Sequence, residues 1–153
     1  MQSEQKFKEA IEKMNSKIKL IKFEESTKTA QDAANALNTS VDQIGKSVVF
    51  KTDKKNFLLI IASGAGRVNE SLIEKEINEK VVKTTPQEIR GYVGYPIGGI
   101  PPFAHDNPMK IFFDKKLLKF DKIFCAGGTP NIVFETTPEE ILKITSAKIL
   151  DVN

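Results

Sequence analysis

Phe57-Leu58-Leu59-Ile60-Ile61-Ala62 decides the fold of this chain, because the run contains no polar residue. A strand without a polar side has to be covered on both faces, so we expect it at the centre of a sheet. Ser47–Phe50, just before it, is also rich in β-branched and aromatic residues, and the polar stretch Thr52–Lys55 separates the two runs. This pattern predicts a β-hairpin whose second strand, within Asn56–Ser63, is central.

Helices and further strands are predicted on both sides of this hairpin by apolar periodicity and by capping residues. We expect helices near residues 4–15, 30–37, 69–78, 85–91 and 137–144, a short capped turn that ends at Gly45, and strands near 19–23, 81–83, 111–113, 122–126, 131–135 and 147–152. Hairpins therefore alternate with strands that helices connect. The expected fold class is α/β (mixed α+β), with a mixed, largely antiparallel central sheet flanked by helices.

Length and composition fit one domain over residues 1–153. The longest apolar run, Phe57–Ala62, is far shorter than the roughly 20 residues that cross a bilayer. The N-terminus is polar and charged, and the lone Cys125 cannot form an internal disulfide. We therefore expect a cytoplasmic protein without a membrane partner. The net charge of +3 permits an anionic partner but does not establish one.

Several classes of site are disfavoured. His105 is the only histidine and Cys125 the only cysteine, so neither a protein-only zinc site nor a cofactor is expected. Gly45-Lys46-Ser47 resembles the end of a phosphate-binding P-loop, but Ser40 stands where that motif needs glycine. Lys110–Lys122 carries five lysines and two aspartates, which fits either a solvated edge or a rim that faces phosphates.

The strongest local signal lies in residues 91–108, which hold four glycines and four prolines. Long irregular stretches are uncommon in compact domains unless they are functional. Glycines let backbone N–H groups approach a ligand closely, and prolines hold the backbone rigid. We therefore expect a functional loop centred on Gly98–Pro102.

Three segments also carry a family resemblance. They are Ile44–Phe50, then Gly94-Tyr95 leading into Gly98–Phe103, and finally Ala126–Gly128 followed by Thr137–Leu142. In order and spacing they resemble the YbaK and prolyl-tRNA-synthetase-associated domains, which are aminoacyl-tRNA editing deacylases. The similarity runs from roughly residue 29 to residue 153 and is to the free-standing members of that family.

The resemblance implies a set of site residues. Lys46 corresponds to the essential lysine and Gly98–Pro102 to the GxxxP loop, so Lys46 and Gly98 are the implied catalytic positions. The implied substrate-binding residues are Ser47, Gly99, Ile100, Pro101, Pro102, Phe103, His105, Gly127 and Gly128. Ala104 stands where a glycine is common in the family, which leaves the pocket rim and the amino-acid specificity open.

The function that the resemblance implies is trans-editing, the hydrolysis of the ester between a wrong amino acid such as Ala or Cys and a tRNA, with tRNA(Pro) the expected carrier. The expected partners are the acceptor end of the mischarged tRNA and an aminoacyl-tRNA synthetase, and not DNA. An aminoacyl ester is already activated, so it needs a positioned water or hydroxyl and stabilisation of an oxyanion rather than a nucleophilic triad.

Two other functions remain open at this point. One is a non-catalytic module of the same fold that binds a tRNA or nucleotide end, and the other is a purely structural interaction protein. The sequence also leaves open whether Lys46 meets a phosphate or the developing oxyanion.

Overall fold

The structure is a computed structural model that describes residues 2–14 and 16–153. These residues form one sheet of eight strands. The strands are β1 (Leu20–Lys22), β2 (Ile44–Thr52), β3 (Phe57–Ser63), β4 (Val81–Val82), β5 (Lys110–Asp114), β6 (Ile123–Ala126), β7 (Ile132–Thr136) and β8 (Lys148–Leu150). The α-helices are α1 (Ser3–Lys13), α2 (Ala30–Leu37), α3 (Glu70–Ile77), α4 (Pro86–Val93) and α5 (Pro138–Thr145), with 3-10 turns at Val41–Gln43 and Lys115–Lys119. The predicted end of the first helix at residue 15 lies outside the described residues, and the extent of the domain stays a prediction.

The sheet has the mixed topology that the sequence predicts. Its strand order is β1-β7-β6-β2-β3-β5-β8, and β4 also pairs with β2. The pairings β1–β7, β2–β3, β2–β4 and β6–β7 are antiparallel, whereas β2–β6, β3–β5 and β5–β8 are parallel. The predicted hairpin is β2–β3, and its apolar second strand lies between β2 and β5.

Both faces of β3 are covered. Successive side chains of a strand point to opposite faces of the sheet, so β3 contributes to two clusters. Leu59 and Ile61 pack in one hydrophobic cluster with residues of α1, α4 and α5. Leu58 and Ile60 pack in a second cluster with Ile73 of α3. In the part of the chain that the structure describes, every helix falls short of the length and apolarity that a membrane span requires.

The predicted capped turn ends earlier than expected. Ser40 Oγ accepts a hydrogen bond from Asp42 N, which closes a 3-10 turn that finishes at Gln43. Gly45 therefore belongs to β2 and does not end a helix. It lies beside β6, and a Cβ on this residue would come within 2.9 Å of Cys125 Sγ.

The helix predicted to stop at Gly91 continues to Val93. Gly91 is exposed and its missing Cβ would touch nothing, while Ile89 and Val93 continue one buried stripe across it. A glycine weakens a helix by only about 1 kcal/mol relative to alanine, so packing outweighs it. The helix ends at Gly94, whose φ of +88° is left-handed.

Helix α1 is anchored by Phe7, which is completely buried. The centroid of its ring lies 5.3 Å from that of Phe103, 5.6 Å from that of Phe134 and 6.4 Å from that of Tyr95. This aromatic cluster joins α1 to the irregular segment after α4 and to β7.

Replacing Phe7 by alanine should lower the free energy of unfolding by about 3–5 kcal/mol, because the change removes a fully buried ring and leaves a cavity. Urea denaturation measures this. Met14, at 41% exposure, supplies the control, since Met14→Ala should stay within about 0.5 kcal/mol of wild type. Equal effects of the two substitutions would contradict the anchoring role of Phe7.

Candidate active site

A cavity of about 260 Å³ lies where the sheet splits between β2 and β6. Strand β6 pairs with β2 only at Ile44 and Gly45, and β4 pairs with it only at Lys51 and Thr52. Within the described residues, positions 46–50 of β2 have no strand partner along that edge. The cavity occupies this gap and is lined by residues 44–49 of β2, residues 124–126 of β6, and parts of α2, α4, β7 and two loops.

The open edge of β2 presents unpaired backbone groups to the cavity. Gly64 N donates to Ile44 O at 2.8 Å, so even-numbered residues of β2 hydrogen-bond with β3. In an antiparallel pair the intervening residues point the other way. The N–H and C=O groups of Ser47 and Val49 therefore face the gap. Ser47 Oγ is also buried without a hydrogen-bond partner among the described residues.

The charge in the cavity lining is entirely positive. Lys28 and Lys46 line it, and none of its lining residues is acidic. Lys46 Nζ donates to Gly66 O at 3.4 Å, and no carboxylate of residues 2–14 and 16–153 lies within 4.0 Å of it. Lys46 therefore has no ion-pair partner among the described residues.

The opposite wall comes from the loop after α4. Ile97, Gly98 and Ile100 line the cavity, which brings Gly98 into the same site as Lys46 and Ser47. Gly98 has a φ of +88°, and a Cβ there would collide with the side chain of Lys28. The Gly98 N–H makes no hydrogen bond to another described residue, so it is free to donate to a ligand.

The other predicted binding residues do not line this cavity, and several hold the loop from behind. A Cβ on Gly99 would lie 2.6 Å from the backbone carbonyl carbon of Thr129, so only glycine permits this close approach. Gly128 N donates to Gly99 O at 2.9 Å and fastens the loop to the turn after β6. Four more of the predicted residues are buried behind the cavity wall: Pro101, Pro102, Phe103 and Gly127.

His105 also lies outside the cavity. Its Nε2 is 2.7 Å from Pro101 O, across the base of the loop. Burial lowers the pKa of His105, against the opposing effects of the Pro101 hydrogen bond and of Asp106. The ring is therefore neutral near pH 7 and donates from Nε2 to hold the loop closed.

Two further groups on this side of the sheet are unsuited to base or nucleophile chemistry. Cys125 lines the cavity, but burial raises the pKa of its thiol to about 12, so it remains protonated. Burial also raises the pKa of Tyr95 to about 12, and its hydroxyl donates to Ala104 O at 3.0 Å. Among the described residues, no cluster of three His, Cys, Asp or Glu side chains could hold a metal ion.

Sequence reasoning missed the wall formed by residues 27–30, which includes the cationic Lys28. This segment has no motif of its own. Thr27 is held by a residue distant in sequence, because its Oγ1 donates a hydrogen bond to Pro130 O at 3.0 Å. Thr29 accepts a hydrogen bond from Asp32 N and caps α2. Only the capping pair Thr29–Asp32 was visible in the sequence.

Three of the five lysines in the basic segment Lys110–Lys122 lie near acidic side chains. Lys116 lies 3.8 Å from Asp151, Lys119 lies 4.0 Å from Asp42, and Lys122 lies 3.9 Å from Glu135. These exposed pairs favour a solvated edge over a phosphate-facing rim.

Comparison with known proteins shows which family the chain belongs to. The aminoacyl-tRNA editing domain family matches residues 24–144. This chain belongs to that family. YwhH of Bacillus subtilis (strain 168) is 28% identical over 127 residues, which cover 83% of this chain and 81% of YwhH.

Relatives linked to proline-tRNA ligation are also found. A crystal structure of a protein proposed to be a trans-editing enzyme for prolyl tRNA synthetase has a TM-score of 0.92 and 34% identity, covering 99% of this chain and 96% of that one. The proline–tRNA ligase of Staphylococcus haemolyticus (strain JCSC1435) is 33% identical over 90 residues, or 58% of this chain. The match spans only 16% of that ligase.

The neutral state of His105 should make folding sensitive to acid. The unfolded chain takes up a proton near the ordinary histidine pKa of about 6.5, whereas the folded chain, with its lowered pKa, does not. This contribution to stability is complete above about pH 7.5 and is lost as the pH falls toward the folded pKa. Urea denaturation between about pH 7.5 and 5 should therefore show a falling free energy of unfolding.

His105→Gln is the matched control, because glutamine can still donate to Pro101 O but does not titrate. Its unfolding free energy should change less over this range than that of wild type. Glu79 and Glu88 do not interfere, because hydrogen bonds from Thr52 and Lys51 respectively lower their pKa values, so they titrate at more acid pH. An equal pH slope in both proteins would show that His105 is not responsible.

Proposed function

We propose that this chain is a trans-editing deacylase that hydrolyses the ester between a wrong amino acid and a tRNA. The observation that carries the proposal is that one cavity is lined by Lys46, by Gly98 with its free N–H and by Ser47 with its unpaired backbone. Membership of the editing family supports the same reaction. Because the substrate is made during translation, we expect the protein to work in the cytoplasm.

The reaction begins when a water oxygen attacks the ester carbonyl carbon. The carbonyl electron pair moves to oxygen, and the resulting oxyanion is stabilised by the Gly98 N–H and by the nearby positive charge. The oxyanion then collapses, the bond from carbon to the ribose oxygen breaks, and the ribose oxygen takes up the proton that the water gives up. Loss of a single donor of this kind typically costs about 10²–10³ in rate.

The lining contains no general base, which is consistent with an activated substrate. It has no carboxylate, its thiol is protonated, and His105 lies elsewhere. We propose that the neighbouring hydroxyl of the terminal ribose orients the water and relays its proton. Positioning then supplies most of the catalysis.

The lining also supports a class of amino acid. Most of it is aliphatic, including Ala33, Val49 and Ile89, with Ser47 Oγ as a polar group on one wall. Burial of a charged side chain there would be costly, so we propose small uncharged amino acids such as Ala or Cys. Similarity to a segment of proline–tRNA ligases supports tRNA(Pro) as the carrier and a prolyl-tRNA synthetase as the partner.

Deacylation of tRNA(Pro) charged with alanine, cysteine or proline tests the proposal directly. Wild-type protein should release alanine or cysteine faster than the spontaneous rate and leave prolyl-tRNA intact. Lys46→Ala should lower kcat/KM by about 10²–10³, the range expected for a lost oxyanion donor. Lys115→Ala is the matched control, because Lys115 is an exposed lysine outside the cavity lining and its loss should change nothing.

The kinetic parameters assign the role of Lys46. A contact with a tRNA phosphate that is made equally throughout the reaction would raise KM with kcat unchanged, whereas a contact with the oxyanion would lower kcat. Salt-dependent tRNA binding without hydrolysis of any of the three esters would contradict catalysis and favour the non-catalytic binding module.

A further inference from the structure

Helix α1 holds the cavity-lining loop through one side chain, Lys6. Lys6 Nζ donates to Gly94 O at 2.7 Å and to Asp106 Oδ1 at 3.0 Å, and it lies 4.5 Å from the ring centroid of Tyr95. The Lys6 side chain is only 24% exposed. A single ammonium group therefore joins three residues that are distant from α1 in sequence.

Two of these partners are the two ends of the loop. Asp106 N donates to Val93 O at 3.0 Å, so the chain leaves α4 and returns to almost the same place. Segment 94–106 is thus a closed loop of the Ω type, with Gly98 on its cavity side and Lys6 at its neck.

The neck is built around this lysine. A Cβ on Gly94 would lie 2.5 Å from Lys6 Nζ and would also overlap the carboxylate of Asp106. Gly94 therefore provides both the left-handed backbone that ends α4 and the space that the Lys6–Asp106 pair occupies.

Two other residues of α1, Ser3 and Phe7, reach the back of the loop. The Phe7 ring packs against Phe103 with centroids 5.3 Å apart. Ser3 O lies beside Gly128, where a Cβ would come within 2.9 Å of it, and Gly128 N holds Gly99 O. Ser3 precedes Lys6 by three residues and Phe7 by four, spacings that share a helix face, so α1 supports both the neck and the residue next to Gly98.

We propose that Lys6 is a positioning residue for the hydrolysis proposed above, which holds loop 94–106 so that the Gly98 N–H meets the reacting carbonyl. The inference rests on that proposed function. It assigns a catalytic contribution to α1, which precedes the residues 24–144 that match the editing family. Displacement of a catalytic group by about 1 Å can cost about 10²-fold in rate, so loosening the neck is sufficient to impair turnover.

The test compares four proteins: wild type, Lys6→Met, Lys6→Arg and Lys8→Met. Methionine keeps the length and apolar stem of lysine but cannot hold Gly94 O or Asp106. Lys8 is an exposed lysine on the same helix and is the matched control. For Lys6→Met we expect kcat to fall by about 10- to 100-fold with KM within about threefold, with recovery in Lys6→Arg and no change in Lys8→Met.

Amide hydrogen exchange on the full chain gives a readout that does not depend on catalysis. In Lys6→Met, the amide hydrogens of residues 94–106 should exchange faster than in wild type, and those of β3 should exchange at the wild-type rate. If Lys6→Met does not fold, Asp106→Asn replaces it, since that change weakens the same neck at an exposed position; a smaller loss in kcat and faster exchange in the same segment are expected.

The two proposals fail in different ways. A wild-type protein that hydrolyses no ester would overturn the proposed deacylase activity. Faster loop exchange in Lys6→Met would then still support the contact of Lys6 with the loop neck. A Lys6→Met protein with wild-type kcat and loop exchange would overturn the positioning role. The positioning role would also be overturned if Lys6→Arg had wild-type loop exchange but the same loss of kcat as Lys6→Met.

Discussion

The cavity depends on the fact that one edge of β2 is shared between two short neighbours. Strand β6 pairs with β2 only at Ile44 and Gly45, and β4 pairs with the same edge of β2 from Lys51 onward. The edge of β2 between these two pairings has no strand partner among the described residues. Unpaired strand edges are normally covered because their N–H and C=O groups seek partners. Here the gap between β6 and β4 is enclosed by side chains that come from both faces of the sheet. The backbone of Ser47 therefore faces a small cavity.

The divergence of β2 and β6 starts at a point of very close approach. Gly45 lies against Cys125, where a Cβ would meet the sulfur at 2.9 Å. The two strands touch there and separate immediately afterwards, so Lys46 is the first residue beyond the contact. The loop wall is fixed by the same kind of constraint, because Gly99 touches the backbone of Thr129. Gly45 and Gly99 therefore act by permitting close packing around the cavity that Lys46 and Gly98 line.

Much of this could be predicted from the sequence. The apolar run Phe57–Ala62 identified the central strand, and the glycine- and proline-rich stretch located the loop that lines the cavity. The end of α4 was predicted wrongly because Gly91 was taken as a terminator, although the buried stripe continues to Val93. Local signals of this kind cannot show that packing will override a weak breaker.

The composition of the site was harder to predict, because it depends on long-range placement. Gly98–Pro102 was predicted as a binding surface, but only Gly98 and Ile100 of this segment line the cavity. The buried residues support the loop from behind, and nothing in the sequence separates the two roles. The wall formed by residues 27–30 could not be predicted, because the capping pair Thr29–Asp32 marks only the start of α2, while a tertiary hydrogen bond from Thr27 to Pro130 O fixes the segment against the cavity.

The chemistry of the cavity also limits what it could cleave. On the proposed mechanism, the site has positive charge and backbone donors but no general base that could strongly activate a water, since its thiol has a pKa of about 12 and its lining has no carboxylate. An aminoacyl ester is activated and has a neighbouring ribose hydroxyl, whereas an amide carbonyl is much less reactive toward water. A site without a general base is therefore adequate for an aminoacyl ester and inadequate for a peptide bond. Selectivity for the labile bond follows from what the cavity lacks as much as from what it binds.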